Sequence, residues 1–73
     1  MFTKELFGAR LREVRERRQE TQKTAAEALG ISIPYLSDME RGRRTTTTER
    51  LAHICDYYEV SADYLLGRKD EYT

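Results

Sequence analysis

Arg41, Arg43 and Arg44 crowd three cations into four residues at the end of the stretch SIPYLSDME, and Arg50 follows shortly after. Residues 41–52 thus carry a net +3. A cluster of this kind suits the phosphates of a polyanion, whose binding needs a positive face rather than a positive total. Covalent and metal chemistry are poorly provided for. His53 is the sole histidine and Cys55 the sole cysteine. Two residues apart on one helix they point different ways, so no metal site is expected. A single cysteine excludes an internal disulfide and a cysteine-based zinc site, and fits a reducing cytosol. One histidine on a short core helix makes no credible Ser–His–Asp arrangement. The expectation is a protein without catalysis, cofactor or small-molecule ligand.

The total charge is zero, with 13 basic and 13 acidic residues, but the signs alternate in blocks. Residues 9–18 carry net +3, residues 19–40 net −3, residues 41–52 net +3 and residues 53–73 net −3. The neutral total argues against tight sequence-blind binding of nucleic acid, because phosphate neutralisation supplies that term. At 73 residues the chain is a single small domain whose core is modest, and a substrate pocket with catalytic machinery is hard to fit. No apolar run approaches the ~20 residues that span a bilayer, and the N-terminus has no signal-peptide core. These features predict a soluble cytoplasmic protein with no membrane role.

The elements that must position the cations are five helices and no strand. Phe7, Leu11 and Val14 recur at i, i+4 and i+7, which predicts a first helix from about Thr3 to Arg18, widened by Leu6. Gly8 is tolerated inside it at a cost of about 1 kcal/mol. A second helix starts near Thr21, turns Ala25, Ala26 and Leu29 inward, and closes at Gly30. Ser32 caps a third, in which Pro34 sits in the first turn, Leu36 and Met39 face the core, and Gly42 ends the run. After the loop RRTTTT, Thr47 or Thr46 caps a fourth helix with Leu51, Ile54, Cys55 and Tyr58 at helical spacing. Ser61 opens a short fifth helix that Gly67 ends, and residues 68–73 form a charged, frayed tail. Two short helices joined by a turn of about four residues, the second and third, have the plan of a helix-turn-helix.

FGARLREVR, Gln22, LGIS, YLSDMERGRR and VSADYLLG, in this order and spacing, resemble the Cro/cI-type phage-repressor (XRE-like) helix-turn-helix family over about Phe7 to Gly67. The resemblance implies a lambda-repressor-like five-helix bundle that binds operator DNA as a twofold homodimer, with helix 3 as recognition helix. It implies base-edge contacts for Ile33, Pro34, Ser37 and Asp38. It implies backbone contacts for Gln22 and Ser32, and places Arg41, Arg43 and Arg44 near phosphates. It also implies a structural ion pair between Arg15 and Glu40. Two departures stand out: Ala25 replaces a usual leucine, and Thr46 replaces the proline usual after helix 3, so that loop is expected to be less rigid.

The strong bidentate base contacts are Arg or Lys to guanine and Asn or Gln to adenine. Ile33 and Pro34 make neither and can only pack on thymine methyl groups; Ser37 can bond to several bases, and Asp38 can accept from cytosine. Tyr35 carries a phenol within reach of a phosphate. Weak direct readout, leaning on phosphates and DNA shape, is therefore expected. The other arginines of helix 1, Arg12, Arg17 and Arg18, read as a solvated face. Tyr57, Tyr58, Tyr64 and Tyr72 exceed the needs of a small core: Tyr58 suits the interior, whereas Tyr57 and Tyr64 with Leu65 or Leu66 suit an exposed dimer patch. Two functions stay open. One is a transcriptional regulator, a repressor type, that binds double-stranded DNA. The other is a protein-interaction or antitoxin-like module on the same scaffold, favoured by the neutral charge and the Ile33–Pro34 pair.

Overall fold

Each helix in the computed structural model, which describes residues 1–71, opens on a hydroxyl. Thr3, Thr21, Ser32, Thr47 and Ser61 all lie in extended backbone, and each side-chain oxygen accepts from the N–H three residues on. That bond satisfies one of the otherwise orphaned donors of a first helical turn. The helices so defined are α1 (Lys4–Arg17), α2 (Gln22–Leu29), α3 (Ile33–Glu40), α4 (Thr48–Tyr58) and α5 (Ala62–Leu65). Among the described residues there is no strand. The α4 cap is Thr47, not Thr46.

Leu11, Val14, Leu36, Met39, Ile54 and Leu65 are the largest fully buried side chains. They come from α1, α3, α4 and α5, so a single core is shared by the bundle, with Ala25, Ala26 and Leu29 of α2 closing it. Ile31, Tyr35, Leu51, Cys55 and Tyr57 pack half-buried around the rim. The α2–α3 turn is made by Gly30 in the left-handed conformation (φ 69°), and the Ile31 N–H reaches back to the Ala26 carbonyl at 3.0 Å. This is the hydrogen bonding of a Schellman close, which points the chain straight into the next cap.

Three sequence expectations change here. Gly8 is not merely tolerated: α1 packs chiefly on α3, and Gly8 lies against the backbone of Met39, Glu40 and Gly42. A side chain at this point has nowhere to go. Tyr64 and Leu65 are buried, so they belong to the core and not to an exposed dimer patch. Finally, residues 68–70 are tied back: the Arg68 guanidinium pairs with Asp63, and Arg10 binds the Lys69 carbonyl and Asp70. Tyr72 lies outside the described residues.

Candidate nucleic-acid interface

The two faces of α3 differ in kind. Leu36, Met39 and Glu40 turn inward and are buried. Ser32, Ile33 and Pro34 are exposed, and Ser37 and Asp38 are half-buried on the outer side. Arg41, Arg43 and Arg44 are exposed where the helix ends and the loop begins. The Arg43 N–H closes on the Asp38 carbonyl at 2.9 Å, so the basic corner is folded back against the last turn of α3.

Glu40 holds this helix to its neighbours. Arg15 of α1 donates through Nε to Glu40 Oε2 at 2.8 Å and through Nη2 to Oε1 at 3.0 Å, a bidentate fork. Its Nη1 donates to the Glu20 carbonyl at 2.7 Å. The pairing with Glu40 raises the Arg15 pKa, against the opposing effect of burial. Gln22, the first residue of α2, donates from Nε2 to Glu40 Oε1 at 3.1 Å. One buried carboxylate thus fixes α1, α2 and α3 together. Above it lies a polar groove of about 300 Å³ whose walls include Arg12, Gln22, Ser37 and Arg41. Gln22 therefore stands at the groove with its amide already oriented by Glu40, and Arg12, read from the sequence as part of a solvated face, stands at the same rim.

At the other end of α3 the Tyr35 hydroxyl and Thr46 Oγ1 are hydrogen-bonded at 3.0 Å. This bond, aided by the charges of Arg50 and Arg44, holds the phenol below its ordinary pKa. The hydroxyl thus has a partner within the protein, and where Thr46 donates, the phenol keeps its own proton for an outside acceptor. The loop of residues 43–47 is tied to α3 by this bond and by the Arg44 guanidinium, 3.8 Å from the Tyr35 ring centroid.

The five arginines between residues 10 and 18 are all engaged inside the molecule. Arg10 donates to the Tyr64 carbonyl at 2.6 Å and lies over the Tyr64 ring at 4.2 Å. Arg12 pairs with Glu16, Arg15 with Glu40 and Arg17 with Glu13. Arg18 donates to the Tyr57 carbonyl and lies 5.0 Å from the Tyr57 ring centroid. Among the described residues, Lys4, Lys23, Lys69, Arg41, Arg43, Arg44 and Arg50 have no ion-pair partner. The arginines without a carboxylate partner thus all lie at the end of α3, in the loop after it and in the first turn of α4.

The four residues expected at a dimer patch are not brought together on one exposed surface. Tyr64 donates its hydroxyl to Glu13, and Tyr57 donates to Glu20 Oε2 at 2.6 Å; each bond to a carboxylate raises the phenol's pKa. Leu66 is half-buried and lines a groove of about 670 Å³ of mixed character with Phe2, Phe7, Leu51, Thr46 and Arg68. His53 is exposed, Cys55 is half-buried, and burial pushes the Cys55 thiol up. No group of three or more potential metal-ligating side chains occurs among the described residues, and none of their helices is long and apolar enough to cross a membrane.

The sequence profile of the helix-turn-helix domain matches residues 6–65. This chain belongs to the helix-turn-helix family. Its Cro/cI-like, XRE-type character agrees with the relatives it matches. The chain is 48% identical over 65 residues to the HTH-type transcriptional regulator ImmR of Bacillus subtilis, a match covering 89% of this chain and 50% of that protein. It is 44% identical over 57 residues to the HTH-type transcriptional regulator DdrOP3 of Deinococcus deserti, covering 78% of this chain and 44% of that protein. The chain thus spans about half the length of these two relatives. Among solved structures, the clp gene regulator ClgR of Corynebacterium glutamicum superposes with a TM-score of 0.78 at 38% identity, covering 86% of this chain and 67% of that one. The restriction-modification controller protein C.AhdI of Aeromonas hydrophila superposes with a TM-score of 0.77 at 27% identity, covering 85% and 94%. The all-helical, lambda-repressor-like fold read from the sequence is the fold of this family of regulators. Its helix-turn-helix is the pair α2 and α3.

Proposed function

We propose that this protein is a cytoplasmic DNA-binding transcriptional regulator that sets α3 into the major groove of duplex DNA. The observation that carries this reading is the segregation of charge. The arginines of residues 10–18 are satisfied internally, whereas those bordering the outer face of α3 have no carboxylate partner. Ile33, Pro34, Ser37 and Asp38 are the side chains that would meet base edges, and Gln22, Ser32, Arg41, Arg43 and Arg44 those that would meet the backbone. Base contacts of this composition discriminate weakly, so phosphates and DNA shape carry much of the binding. A homodimer would set two such helices about 34 Å apart in successive grooves and act by occluding or recruiting polymerase. No catalysis is part of this reading.

In vitro selection from a randomised duplex pool at low salt tests it. An enriched motif repeated at one helical turn is expected; a pool that stays random overturns sequence-selective binding. A second reading, a protein-interaction module on the same scaffold, draws on the apolar Ile33, which is 43% exposed, and on the neutral total charge. A salt-sensitive mobility shift on random duplex separates the two, since only the DNA-binding form produces one.

A further inference from the structure

Tyr35 joins three segments that otherwise meet only at their edges. It lies in the first turn of α3, its hydroxyl is bonded to Thr46 in the loop, and its ring is packed against two guanidiniums. Arg44, from the loop, lies 3.8 Å from the ring centroid, and Arg50, from the first turn of α4, lies 5.1 Å from it. Among the described residues neither arginine has a carboxylate partner. Two like charges thus meet at one tyrosine, offset by the negative face of its ring and, for Arg50, by its phenol oxygen, with no carboxylate in ion-pair contact. Such a pair is short of an anion. It also lies beside the exposed start of the recognition helix, where a groove-bound helix meets the flanking strand.

We propose that Tyr35 is a positioning residue, whose ring holds Arg44 and Arg50 together as a clamp for a backbone phosphate of duplex DNA. This rests on the DNA-binding reading above. The loop of residues 43–47 contains no proline to restrict it. An arginine on such a loop gives up rotamer and backbone freedom when it binds a phosphate. Stacking on Tyr35 removes that freedom beforehand, so less is lost on binding. A planar guanidinium stacks on an aromatic face and still presents its edge donors to an oxygen, which a lysine ammonium cannot do.

Anisotropy of a labelled random-sequence duplex, titrated over a salt series, tests the clamp with four variants. Tyr35→Phe keeps the ring and should bind within about twofold of wild type. Tyr35→Leu keeps apolar bulk but no π face; it should bind about threefold to tenfold more weakly, with the salt slope lower by ~0.9 for each phosphate that is no longer neutralised. Arg44→Lys keeps the charge and should lose, on a logarithmic scale, at least half of what Arg44→Ala loses. The proposal is overturned if Tyr35→Leu retains the wild-type slope, if Tyr35→Phe falls as far as Tyr35→Leu, or if Arg44→Lys matches wild type. Should Tyr35→Leu fail to fold, Arg44→Lys decides alone, because residue 44 is exposed. Any of these results with salt-sensitive binding by the wild type removes the clamp only, whereas a wild-type protein with no such binding removes the DNA reading and the clamp with it.

Discussion

Gly8 of α1 faces the main chain of Met39 in α3 so closely that a Cβ at residue 8 would overlap the Met39 carbonyl oxygen. It would also stand 2.8 Å from the Glu40 carbonyl oxygen and 2.9 Å from the Gly42 nitrogen. All three are backbone atoms at the end of α3, and backbone cannot swing aside as a side chain can.

Gly8→Ala therefore inverts the usual helix preference, by which alanine gains about 1 kcal/mol over glycine. Forcing the helices apart should cost about 1–3 kcal/mol net, as overpacking does, and lower Tm by about 4–8 °C per kcal/mol. Thermal unfolding followed by circular dichroism checks this; a raised Tm would contradict the packing.

Arg15→Ala should destabilise by about 3–5 kcal/mol, because it leaves the Glu40 carboxylate buried with only the Gln22 amide beside it. Glu40, the acceptor that orients Gln22, then loses the fork that holds it, so DNA affinity should fall even where the variant is folded. Denaturant titration and duplex binding measure the two effects separately. Wild-type values in both would remove Glu40 as the organising group.

Alkaline pH should weaken the fold through Tyr57 and Tyr64. Each donates to a carboxylate, and each has its pKa raised above the ordinary value of 10.0. A raised pKa means the folded state holds its proton longer than the unfolded chain. The contribution is therefore complete below about pH 10 and is lost as pH rises through the folded-state values. Tyr64→Phe should flatten that alkaline decline in a series of urea melts; an unaltered profile would show that the bond to Glu13 does not couple to folding.

Arg43→Ala should weaken binding to all duplex sequences alike and lower the salt slope by ~0.9, the signature of one phosphate left without its cation. Unlike Arg44, Arg43 has no aromatic support among the described residues, so Arg43→Lys should be nearly neutral. A change in the selected motif instead of the slope would move Arg43 to base readout.

Asp38→Ala should relax preference at one base pair by about 1–3 kcal/mol if the carboxylate accepts from a cytosine. Removing its negative charge should at the same time raise affinity for random duplex. Repeating the selection with this variant separates those outcomes; an unchanged motif with raised affinity would leave Asp38 a purely repulsive neighbour of the backbone.

The sequence alone determined the helices and their order, because the signals are local. Five hydroxyl caps, Gly30 at the turn and the spacing of Leu11, Val14, Leu36 and Met39 act within a few residues of themselves. It also carried the family pattern, and with it the plan of α2 and α3. Tertiary structure alone decided which charges are available. Arg10 reaches Tyr64 across 54 positions, Arg18 reaches Tyr57 across 39 and Arg15 reaches Glu40 across 25, leaving Arg41 and Arg43 without such partners. The same holds for Tyr64 and Leu65, which look like surplus apolar residues until α5 is laid on α1, and for Gly8, whose role appears only where two backbones touch. Contact between distant segments depends on how all the helices pack at once, and no short window of sequence contains that information.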